Sequence, residues 1–211
     1  MTLPEIRIKN SFLLNNKVIP LLMPGLKESG HEHVANSEYI DKKVDAYTHA
    51  WEAHGEVILR SICEVLDTEF NQNIIDAYVV PFGNSFSDPM VISTKYDPDR
   101  FVEVFTHELT HRLLTDNTKL PRKRYNKLSS YWQELFGNTH SFVTLVHIPV
   151  HAILEYVFTN VLHEPQRLQR DKEACMHFPD YQLAWQYVEQ NGYKNIIQQL
   201  REQYNNFETG S

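Results

Sequence analysis

The sequence predicts an α+β fold, in which a small, mostly antiparallel sheet with an edge strand beside a metal-motif helix precedes a helical C-terminal part. Three observations carry this prediction. Short runs rich in β-branched residues cluster before residue 95, ending at Pro81, Gly83 and Asp88. From residue 98 onward, apolar residues recur at helical spacing over long stretches. The two kinds of element occur in blocks rather than in strict alternation, which segregates the helices to one side of the sheet.

Taken in order, residues 5–22 read as one or two short strands through Ile6, Ile8, Val18, Ile19, Leu21 and Leu22. The segment 23–35, with Pro24, Gly25 and Gly30, reads as a loop. Residues 37–68 have helical spacing (Val44, Tyr47, Trp51, Ile58, Ile62, Leu66), with Gly55 as a weak point. Residues 73–80 and 90–94 are strand candidates separated by a turn at 84–88. Asp97 is an N-cap and Pro98 a first-turn proline for a helix over 98–115. A polar loop with Pro121 follows, then a helix over 128–136 and a long apolar helix over 140–162 that contains Pro149. A charged connector between Pro165 and Pro179 leads to closing helices at 180–190 and 193–204, divided by Gly192. The whole of 1–211 is expected to be one domain: N-terminal strands and helix in 1–72, a metal-site core in 73–162, and C-terminal helices in 163–211.

A composition of 42% hydrophobic and 22% charged residues is that of a globular protein. The net charge of −7 argues against a nucleic-acid partner. The basic run Arg122-Lys123-Arg124 is expected to be a solvated turn. Cys63 and Cys175, the only two cysteines, are too few for a disulfide framework and suit a reducing compartment. The N-terminus lacks a basic and apolar leader pattern, and no run of eighteen apolar residues occurs. The expectation is therefore a cytoplasmic protein without a membrane partner, or a secreted one if a leader has been removed.

The chemistry is concentrated in His107-Glu108-Leu109-Thr110-His111, an HExxH pattern within the 98–115 helix. Residues four apart share a helix face, so both imidazoles can reach one ion, most often Zn²⁺. Glu108 stands beside them, where it can take a proton from a metal-bound water. A catalytic zinc site needs a third protein ligand. The downstream Gly and His of the metzincin pattern are missing, since Leu114 and Asn117 occupy those places. The long apolar helix offers His147, His151 and Glu155, spaced four and four as one polar stripe. Glu155 gives a His₂Glu set; His151 or His147 gives His₃; Glu134 in the shorter helix is a further candidate. Residues not used as ligands are expected to act as neighbours or transition-state donors, and His151 is counted with Glu108 among the expected catalytic residues. His31-Glu32-His33 is expected to be a solvated loop rather than a second site.

The segment Val104–His111, a strand before it and a Glu-bearing apolar helix after it resemble the gluzincin, thermolysin-like zinc metallopeptidases in a minimal single-domain form, over about residues 73–162. The resemblance implies Zn²⁺ on His107, His111 and Glu155, with Glu108 as general base and a peptide or protein substrate. It also implies substrate pairing along the strand that includes Met90-Val91-Ile92, after Asn84-Ser85-Phe86. The chain departs from the pattern at Arg112, which follows the second His, and at Thr159, where the group places an Asp that orients a ligand His. Tyr131, Tyr156, His151 and His163 are all candidates for the oxyanion donor. The alternative function is a non-catalytic metal-binding or interaction module that keeps the zincin fold.

Overall fold

A computed structural model describes residues 1–18, 37–81, 83–120 and 128–209. Part of the predicted first strand region, His31-Glu32-His33 and Arg122-Lys123-Arg124 lie outside the described residues. The chain divides into two compact units, each assembled from more than one segment.

The first unit comprises Pro4–Gly55 and Gln72–Glu108. It holds β1 (Glu5–Asn10), a π-turn (Leu14–Val18), α1 (Ser37–Glu52), β2 (Ile74–Val80), β3 (Phe86–Ser87), β4 (Met90–Ser93) and the first turns of α3 (Pro98–Thr115). The four strands form one mixed sheet in the order β1-β2-β4-β3. The β1–β2 and β2–β4 pairs are parallel and β3–β4 is antiparallel, where the sequence reading expects mostly antiparallel pairing. For β1–β2 the reason is topological, since β1 reaches β2 only after a helical excursion that returns the chain in the same direction; β2 and β4 are joined through β3, which runs antiparallel to β4. The outer edge at β4 is β3, folded back so that Ser87 pairs with Met90 and Phe86 with Val91. The other edge of β4 pairs with β2 through Val91–Ser93, so the Met90-Val91-Ile92 run is an interior strand.

Apolar alternation along β2 buries Ile75, Ala77 and Val79. They share this unit's core with Ile40, Tyr47, Trp51 and Ile92. Tyr47 stacks on Phe101 with ring centroids 4.1 Å apart, and Trp51 meets Phe105 edge-on at 4.7 Å. The Tyr47 hydroxyl lies 3.0 Å from the Ser93 carbonyl and 2.9 Å from that of Tyr96, which satisfies its buried polar end.

The second unit comprises Met1–Leu3, Glu56–Asn71 and Leu109–Ser211. It holds α2 (Gly55–Leu66), the last turns of α3, α4 (Leu128–Phe136), α5 (Phe142–Tyr156), a π-turn (Val157–Val161), α6 (Pro165–Cys175), α7 (Pro179–Asn191) and α8 (Tyr193–Thr209). The predicted 37–68 helix is thus two helices that meet at Gly55, the weak point in the pattern. The segment expected as a charged connector after Pro165 is α6. Pro165 sits in its first turn, where the missing N–H is no loss, and Leu168, Asp171 and Cys175 recur on its buried face.

The core of this unit is α5, in which Thr144, Leu145 and every residue from His147 to Leu154 are buried. The stretch Phe142–Val161 has a mean hydropathy of 1.5, enough to span a bilayer, but 67% of it is buried within the protein as expected of a core helix. Ser141 caps α5 by accepting the Thr144 N–H at 3.1 Å. Asn117, at the metzincin third-ligand place, is a structural residue. Its amide donates to the Leu113 carbonyl at 2.8 Å, and its side-chain oxygen accepts the Lys119 N–H at 3.0 Å.

Candidate metal centre

The motif helix starts as its residues dictate. The Asp97 carboxylate accepts the Arg100 N–H at 2.8 Å, and Pro98 occupies the first turn. The helix is buried nearly all round: Phe101, Val102, Phe105, Leu109, Leu113 and Leu114 supply apolar surface, and Glu103, Thr106 and Thr110 are buried as well. His107 and His111 stand one turn apart on one face. The boundary between the units falls inside α3, after Glu108, but the helix itself is unbroken. His107 therefore rides on the same rod as His111.

Three imidazoles converge. His107, His111 and His147 each offer a nitrogen, and these atoms all lie within 4.8 Å of one another. The rings of His111 and His147 meet edge to face with centroids 4.8 Å apart. His147 is oriented from behind. Its Nδ1 lies 2.7 Å from the Val143 carbonyl, a partner to which only an N–H can bond. The neutral ring then carries its lone pair on Nε2. The face of the ring lies against Tyr181 of α7, with centroids 3.9 Å apart.

Burial favours the neutral form of the His111, His147 and His151 rings, the form that ligation requires. Burial lowers His111 to about 3, with His147 adding to the effect. His147 is lowered by burial, against the opposing pull of the Val143 carbonyl and the Asp180 charge. His151 is driven well below its ordinary value by burial, then by His147, His111 and Lys172. Burial also raises the Glu108 carboxyl to about 8. That value lies near neutrality, the range in which a carboxyl both accepts and returns a proton.

A second group overlaps the first: His107, His151 and Asp171 also offer ligand atoms within 4.8 Å of one another. His151 is wholly buried and stacks on Trp185, with centroids 4.1 Å apart and planes 8° from parallel. Asp171 comes from α6 and is 4% exposed.

Among the described residues, Glu155 and Glu134 fall in neither group. Glu155 lies on α5 two turns beyond His147, or about 12 Å along the axis, too far to share that residue's ion. Burial raises its carboxyl, with Lys172 opposing and Glu189 adding. Glu134 is exposed on α4 and lines a cavity of about 360 Å³ with Tyr131 and residues of α8. His163 is exposed, with its Nδ1 3.3 Å from the Thr159 carbonyl, and Tyr156 is half-buried at the end of α5.

Sequence reasoning missed Asp171, Tyr181 and Trp185. The last two carried a signal. Tyr181 and Trp185 repeat the four-residue spacing of His147 and His151; Tyr181 meets both imidazoles and Trp185 stacks on His151. Comparison of the chain with known protein families, with curated proteins and with solved structures returns no match.

Proposed function

We propose that the chain is a zinc-dependent peptidase whose metal is held by His107, His111 and His147, with Glu108 as the proton carrier. The observation that supports this reading is the convergence of those three imidazole nitrogens within 4.8 Å, two of them from the motif that also supplies Glu108. The donor set fits zinc, because three imidazole nitrogens leave a fourth position for water or substrate. When bound, the ion polarises the scissile carbonyl and acidifies water.

The rest is done by the chain. Glu108 accepts a proton on its carboxylate from the attacking water and returns it to the leaving nitrogen. The Val143 carbonyl holds His147 in one tautomer, and Tyr181 packs on its ring. His151, kept neutral by burial, is the residue assigned to the developing oxyanion.

The test is the metal content of purified full-length chain, followed by cleavage of a mixed peptide library by the zinc-loaded protein and by its Glu108→Gln variant. Expected are one zinc per chain and cleavage that falls by roughly 10²–10⁴-fold in the variant with zinc retained. Zinc uptake without cleavage in the unmodified chain would leave the non-catalytic metal module as the function.

A further inference from the structure

We propose that the ion has two alternative seats that share His107. One is the all-imidazole seat of His107, His111 and His147; the other is a two-histidine, one-carboxylate seat of His107, His151 and Asp171. The inference rests on the metal-binding part of the function proposed above, and not on peptidase activity.

The geometry points to it in three steps. Each triad alone meets the proximity that one ion needs, since its ligand atoms lie within 4.8 Å of one another. The triads have only His107 in common, and the exclusivity proposed is that of one shared His107 nitrogen, which bonds a single ion. A second divalent charge beside the first would be repelled at so buried a centre, where Asp171 is the one carboxylate in the two donor sets. Finally, the second triad has bracing of its own beyond the Tyr181 ring, which meets both His147 and His151. His151 is clamped against Trp185, and Asp171 Oδ2 lies 3.9 Å from the Cys175 thiol on the same helix. His147 and His151 stand one turn apart on α5, so this single helix serves both seats.

The two seats differ in chemistry. Three imidazoles suit Zn²⁺ or Co²⁺, whereas a carboxylate oxygen with two imidazoles accepts harder ions such as Mn²⁺ and Fe²⁺. The first seat places the ion beside the motif's second histidine, and the second seat draws it toward α6.

Calorimetric titration of chelator-stripped full-length chain with Zn²⁺ and separately with Mn²⁺ tests this. The unmodified chain is expected to take one Zn²⁺. His147→Ala, and independently His111→Ala, should weaken Zn²⁺ about 10–100-fold yet still take one ion, with Mn²⁺ affinity changed less than about threefold. Asp171→Asn should do the reverse, and His107→Ala should take neither ion. Complete loss of both ions in His147→Ala and His111→Ala, with circular dichroism unchanged, would overturn the second seat. So would unchanged Mn²⁺ affinity in Asp171→Asn. Two Zn²⁺ per unmodified chain would overturn the exclusivity. No uptake of any ion by the unmodified chain would instead remove the metal reading itself.

Discussion

Helices α3 and α5 each carry two histidines four residues apart, yet the two pairs are used differently. On α3, His107 and His111 belong to the same donor group. On α5, His147 joins that group while His151 joins the other. The spacing is identical, so what differs is the environment. The α3 pair is marked by Glu108 between its members and polar threonines around it. The α5 pair is embedded in an otherwise apolar core helix and braced by Tyr181 and Trp185. An i, i+4 pair thus specifies a shared face, and the neighbouring helices decide whether its members join one donor group or two.

The bracing of the α5 pair gives the largest expected effect. Trp185 is 5% exposed and carries His151 on one face and the Lys172 ammonium within 4.7 Å of its ring. Trp185→Ala is expected to destabilise the metal-free chain by about 3–5 kcal/mol, measured as a shift in denaturant midpoint at constant slope. A loss under about 1 kcal/mol would mean that α5 holds its histidines without that wall.

Burial of both pairs sets the next effect, a pH dependence of the metal-free chain. His111, His147 and His151 have lowered values in the folded state. Below pH 6.5 the unfolded chain binds protons that these folded rings refuse, so their contribution to stability falls as the pH falls. Glu108 and Glu155 are raised, so the folded chain keeps protons that the unfolded chain loses above pH 4.5. Their contribution falls as the pH rises. Three groups oppose two between pH 4.5 and 6.5, and each is worth up to about 1.4 kcal/mol per pH unit. Stability should therefore climb by roughly 1–3 kcal/mol over that window, peak near pH 6.5, and decline toward pH 8 as Glu108 ionises. Thermal melts in the presence of chelator measure this. A midpoint unchanged between pH 5 and 6.5 would contradict the neutral, buried state of the imidazoles. Loss of the decline above pH 6.5 in Glu108→Gln would assign that limb.

The same contrast shows which parts of the molecule could be read from residues alone. Helix α3 begins at Pro98 and ends at Thr115, as predicted, because Asp97-Pro98 specifies a start through local hydrogen bonding and a fixed φ. Helix α4 matches at 128–136 for a similar reason, since Gly137 follows it with a positive φ. The direction of strand pairing was not legible, because it depends on which strands the chain brings together after the helical excursion. Helix α6 was hidden behind Pro165 and a dense run of charges, and Asp171 was hidden with it. The polar stripe of α5 was visible, but its spacing alone could not say which of its three turns faces the α3 pair. That choice depends on where the two helices approach, and no residue on α5 encodes it by itself.

Glu155 sharpens this point most and should show the smallest effect. It was the expected third ligand, and it continues the His147–His151 spacing for one more turn. The carboxyl is half-buried near Lys172 and Glu189, which themselves pair at 2.7 Å. A zinc–oxygen bond spans about 2 Å, whereas two helical turns from His147 advance about 12 Å along the axis. Glu155→Ala should therefore leave Zn²⁺ affinity within about twofold of the unmodified chain, less than the roughly 10–100-fold that follows loss of even an outer partner of a ligand. Stability above pH 4.5 should not fall either, because a buried carboxyl with a raised value disfavours the folded state once it must ionise. If Zn²⁺ uptake is instead lost in Glu155→Ala and kept in His147→Ala, the ion lies two turns further along α5, and the His₂Glu set is the ligand set after all.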